Sequence, residues 1–63
     1  MRTIDEKVWD YMVAHKRPVT SKQLAKYFIV SQPSVSRALG KLVERQVVDK
    51  FYQGNVLLYK IKD

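Results

Sequence analysis

The chain has 63 residues, with twelve Lys or Arg against six Asp or Glu, one His and no Cys, for a formal net charge of +6. A chain this short buries only about 60% of the surface its unfolded form exposes, so its apolar periodicities serve one small core and leave no room for a deep enzyme pocket. Without cysteine there is no disulfide framework and no thiolate metal cluster, which suits a reducing cytosol.

Thr3 is the first helix signal: its hydroxyl caps the helix while Glu6, three residues on, reaches back, a capping box over Thr3-Ile4-Asp5-Glu6. The helix runs to about His15, with Ile4, Val8, Tyr11, Met12 and the stem of His15 on one face, and Lys16-Arg17-Pro18 ending it. Trp9 and Val13 fall on the opposite face. Apolar residues on two sides of one helix are more than a monomer of this size needs. Either Trp9 folds over the end of a hairpin, or Trp9 and Val13 form a self-association surface, which is the favoured expectation.

Pro18-Val19 leaves space only for a short extended segment before a second capping box, Thr20-Ser21-Lys22-Gln23, which opens helix two. Leu24, Ala25, Phe28 and Tyr27 are its inward candidates. Ile29-Val30 makes a tight connection to Ser31, a third N-cap, followed by Gln32 and by Pro33 in the first turn, where its missing N–H costs little. In helix three, Val35, Ala38, Leu39 and Leu42 repeat at i, i+3, i+4, i+7 as a buried stripe continuing to about Arg45. The period then changes. Residues 47–52 and 56–61 are rich in β-branched and aromatic types, joined by the hairpin loop Gln53-Gly54-Asn55 with glycine at a positive φ.

The charge is segregated along this order. Residues 1–10 hold two cations against three acids, and residues 43–63 hold four against three. Residues 11–42 hold Lys16, Arg17, Lys22, Lys26, Arg37 and Lys41 with no acid at all. A basic block cleared of acids points to a polyanion, which for a cytosolic domain means nucleic acid, although a solvated basic face also keeps a small domain soluble.

Two short helices joined by a three-residue turn, the second with a polar outer face, form a helix-turn-helix, and a hairpin behind it is a wing. Here the chain resembles the winged helix-turn-helix transcriptional regulators, broadly those of the MarR (multiple antibiotic resistance) and GntR (gluconate repressor) kinds. The runs that carry the likeness are Val19-Thr20-Ser21-Lys22-Gln23-Leu24-Ala25, then Val30-Ser31-Gln32-Pro33-Ser34-Val35-Ser36-Arg37-Ala38-Leu39, then Leu42-Val43-Glu44-Arg45-Gln46-Val47-Val48. The resemblance implies a single α+β domain over residues 1–63, three helices with a small antiparallel β-hairpin wing. Ile29 and Gln46 depart from it, standing where the family usually has glycine. Ile29 is expected to make a turn that avoids positive φ, and Gln46 a strained or differently closed helix end.

By the same resemblance the partner is double-stranded DNA, with helix three in the major groove. Its outward positions are Pro33, Ser36, Arg37, Gly40, Lys41 and Glu44, with Gln32 and Ser34 at its exposed start. Arg37 is the candidate for bidentate contact with guanine and Gln32 for adenine, while Ser34 and Ser36 fit phosphate or water-bridged contacts. Thr20, Ser21, Lys22 and Lys26 set the start and outer face of helix two toward a phosphate strand. Capping alone also explains Thr20. Lys50 and Asn55 are the wing candidates, and Tyr52 and Tyr59 read as cross-strand packing partners.

No catalytic site, metal site, cofactor or small-molecule ligand is expected. Glu6 and Asp10 lie one turn apart, yet capping explains Glu6, and His15 is a lone histidine at a helix end. The apolar runs at residues 28–30 and 56–59 are far short of the roughly 18 residues of a membrane span, and the first six residues lack the apolar stretch of a signal peptide, so the chain reads as cytoplasmic and nucleoid-associated. One rival is a winged-helix protein-interaction module using the Trp9 face. Another is a winged helix for left-handed DNA, but that pattern wants an aromatic one turn after the recognition arginine and prolines in the wing, where this chain has Gly40 and Gln53-Gly54-Asn55.

Overall fold

Helix α1 (Ile4–His15) opens on Thr3, whose Oγ1 accepts a hydrogen bond from the Glu6 amide at 3.3 Å. Helix α2 (Ser21–Phe28) opens the same way on Thr20, with the Gln23 amide donating at 3.0 Å. Helix α3 (Gln32–Glu44) follows Ser31, but the Ser31 hydroxyl makes no cap bond. It pairs instead with the Ser34 hydroxyl at 2.7 Å, and Pro33 in the first turn removes one of the amides a cap would serve. The computed structural model describes residues 3–62.

Strands β1 (Val48–Gln53) and β2 (Val56–Ile61) form an antiparallel pair running from Val48 opposite Ile61 to Gln53 opposite Val56. Because Gln53 is paired, the expected three-residue loop is a two-residue turn, Gly54-Asn55. Its positive φ, 64°, falls on Gly54, as a tight hairpin matched to strand twist requires. Val19 adds a one-residue third rung on the other side of β2, exchanging amide and carbonyl with Tyr59 at 2.8 Å each way. This is the short extended segment expected after Pro18, and it ties the α1–α2 connection to the hairpin. The fold is α+β, three helices with an antiparallel hairpin, in the winged helix-turn-helix arrangement.

The core is the stripe of α3, Val35, Ala38, Leu39 and Leu42, closed by Val8 and Met12 from α1, Leu24 and Ala25 from α2, and Val19, Val48 and Tyr59 from the sheet. Fully burying side chains of this size is worth about 1.5–3 kcal/mol each, which offsets much of the ordering cost of so short a chain. Trp9 is half-buried and packs against this core. That corrects its placement on a face of its own. The helix's two apolar sides come from assigning faces by an ideal wheel, whereas the core wraps far enough round α1 to take Trp9. Val13 stays 41% exposed. Tyr27 is also corrected, from inward to 62% exposed. Its ring stands edge-on to Tyr11 and Phe28, at centroid distances of 4.8 and 5.0 Å, in an aromatic cluster over the α1–α2 seam that His15 joins at 4.1 Å from Tyr11.

Helices α1 and α2 are capped by left-handed residues that are not glycine, Lys16 at φ 50° and Ile29 at φ 57°, and α3 ends on right-handed Arg45 followed by left-handed Gln46 at φ 63°. The expectation that Ile29 avoids positive φ is therefore wrong. The reason is hydrogen bonding at the helix end. The Ile29 amide bonds to the Ala25 carbonyl, and the Val30 amide turns back to the same carbonyl at 3.0 Å, a closure that requires Ile29 itself to be left-handed. Gln46 does the same for α3, with its own amide on the Val43 carbonyl at 2.9 Å and the Val47 amide on that of Leu42 at 3.3 Å. Of the strained or differently closed end expected there, the structure has an ordinary hydrogen-bonded closure with a side-chain-bearing residue at positive φ.

Candidate nucleic-acid interface

The helix-turn-helix brings the N-termini of α2 and α3 side by side, and one direct bond joins them: the Gln32 side-chain amide donates to the Ser21 hydroxyl at 3.2 Å. The turn of the hairpin closes the third side. Thr20, Ser21, Lys22, Gln32, Asn55, Val56 and Leu57 together line a groove of about 290 Å³. Five residues singled out from the sequence thus meet in one place, although Thr20 and Asn55 lie far apart along the chain. Two helix N-termini bring the partly positive ends of their dipoles to this rim, although Thr20 caps the Gln23 amide and Pro33 has none, and Lys22 adds a full charge. Such a rim attracts anions.

From that groove the outer face of α3 continues as Pro33, Arg37, Gly40, Lys41 and Glu44, all exposed at helical spacing. Lys26 lies one turn beyond Lys22 on α2 and is also exposed. Arg37 has no ion pair among the described residues, and a Cβ built on Gly40 would meet nothing within 4 Å, so the middle of the face is open. Lys41 is different. Its ammonium sits 3.3 Å from the Asp5 carboxylate of α1, so the far end of α3 is partly neutralised.

Several roles expected from the sequence change. Ser36 is half-buried, not outward, because it lies next to the buried stripe. Ser34 is half-buried and bonded to Ser31, and Gln32 already holds Ser21, so a base contact by Gln32 has to replace or share that bond. Lys50 lies opposite Tyr59 in the middle of the hairpin, apart from the groove. Tyr52, expected to pack, is 72% exposed, whereas Tyr59 is buried as expected. Both lie on the sheet face that carries Val48, but Tyr52 is near the turn, past the end of the core. Burial, and secondarily the Tyr52 phenol, push the Tyr59 hydroxyl above its ordinary 10.0. Val56 and Leu57 are groove residues that no sequence pattern marks. Only the hairpin register, with its two-residue turn, places them there.

No family model and no curated protein matches the chain. Among solved structures it is similar to the ST1889 protein of the thermoacidophilic archaeon Sulfolobus tokodaii, at 30% identity and a TM-score of 0.87. The match covers 100% of this chain and 63% of that one, so the chain spans less than two thirds of that protein's length. Among the described residues no helix is long and apolar enough to cross a membrane, and no group of three or more His, Cys, Asp or Glu could hold a metal ion.

Proposed function

We propose that the chain is a sequence-specific double-stranded DNA-binding protein that regulates transcription, with α3 as the helix that enters the major groove. The observation that carries this reading is the convergence of the α2 and α3 N-termini and the hairpin turn beside the open, cationic face of Lys22, Lys26 and Arg37. The acid-free composition of residues 11–42 supports it independently. Backbone amides and lysines take phosphates and fix the register, and Arg37 reads a guanine. Occupancy of promoter DNA is the regulatory act in this reading. In this reading the protein works in the cytoplasm, on the nucleoid, without a cofactor.

The test is a titration of duplex DNA at several salt concentrations, after selection of bound sequences from a random pool. Log affinity should fall with log salt by about 0.9 for each phosphate neutralised. Binding indifferent to salt, or a selected pool with no shared sequence, refutes the reading.

A further inference from the structure

A second groove, of about 260 Å³, lies at the other end of the hairpin and is lined by Lys16, Lys60, Ile61 and Lys62. The first groove takes Val56 and Leu57 from the start of β2, and the second takes Lys60 and Ile61 from its end. At a rise of about 3.4 Å per residue, the ends of this six-residue strand are about 17 Å apart. The buried Val19–Tyr59 rung lies between them. The second groove carries three cations, and among the described residues the acid that faces it is Asp49, opposite Lys60 in the register and 3.8 Å from the Lys62 ammonium. Lys16 and Lys60 have no ion pair among the described residues.

We propose that this lysine groove is a second phosphate-backbone surface, which holds another duplex segment while the first groove and α3 hold the site; this rests on the DNA-binding reading above. The character of the groove favours a backbone over a compact anion. It is built at the C-terminal end of α1, where Lys16 is the capping residue and the helix dipole is negative. It therefore lacks the converging amides that fix a small phosphate. What it has is long, strongly hydrated point charges, which bind by releasing counterions from a polyanion and read no sequence. Placing the two surfaces at opposite ends of one strand lets a single domain join two segments of DNA.

The experiment immobilises a short duplex carrying the selected site, saturates it with protein, and measures recruitment of a labelled duplex of unrelated sequence. Three phosphate contacts predict that recruitment weakens about 40-fold between about 50 and 200 mM salt. A triple variant, Lys16→Glu, Lys60→Glu, Lys62→Glu, which lowers the net charge from +6 to 0, should lose recruitment by about tenfold or more. The milder Lys→Gln set at the same positions should lose recruitment and keep its affinity for the immobilised site within about twofold. Thermal melts of both sets separate loss of charge from loss of fold. Wild type that binds the site but recruits nothing overturns this inference alone. So does a triple Gln variant that recruits as well as wild type, or one that loses site affinity in parallel, since the lysines then touch no DNA or the same duplex. Wild type that binds no immobilised duplex overturns the DNA-binding reading itself.

Discussion

Ile29→Gly should stabilise the protein, although it deletes a large apolar side chain. At φ 57°, Ile29 places a β-branched Cβ where the left-handed region costs about 1–2 kcal/mol. Because the side chain is 90% exposed, its removal forfeits almost no burial. Against the relief stands the greater freedom of glycine in the unfolded chain, about 0.4–1 kcal/mol. The net gain is about 0.5–1 kcal/mol, or roughly 3–6 °C in Tm for a domain of this size. Urea unfolding should show a higher midpoint with an unchanged slope, because the surface exposed on unfolding hardly alters. Ile29→Val, which keeps the branched Cβ, should melt with wild type, and Ile29→Asn should fall between Val and Gly because asparagine tolerates this conformation. If the glycine variant melts at or below wild type, the strain argument is refuted. If alanine gains as much as glycine, exposed hydrophobicity and not backbone strain is responsible.

Gly40→Ala should also stabilise by about 0.5–1 kcal/mol in thermal melts, since the position is helical and the added methyl meets nothing within 4 Å. Leu39→Ala, fully buried, should cost about 2–5 kcal/mol by urea denaturation; for a domain whose whole stability is about 3–9 kcal/mol, that leaves much of the chain unfolded. Arg37→Ala should relax preference at one base position by about 1–3 kcal/mol in competition binding, and an equal loss over all sequences would make Arg37 a phosphate contact only. Stability should decline as pH rises above about 10, because the unfolded chain ionises Tyr59 while burial holds it protonated in the fold; Tyr59→Phe should flatten that decline in pH-dependent melts. If the wild type sediments as a dimer, Val13→Glu should return it to monomer, and a monomer in both cases removes self-association through that face.

The elements were legible in the sequence because local chemistry specifies them. Thr3 and Thr20 sit where their hydroxyls cap, the stripe of Val35, Ala38, Leu39 and Leu42 has only one inward solution, and glycine in a polar gap between β-rich runs makes a hairpin. The absence of acids from residues 11–42 was equally plain, since charge is a property of composition. Tertiary structure decided what depends on distance along the chain. The pairing of Gln53 with Val56 shortened the turn and carried Val56 and Leu57 to the groove, and the Lys41–Asp5 pair joins residues 36 positions apart. Trp9 turned inward because the core wraps α1 further than periodicity implies. Ile29 accepted a left-handed backbone because it turns the Val30 amide back onto the carbonyl of Ala25, and a hydrogen-bonded helix end outweighs the preference of one side chain.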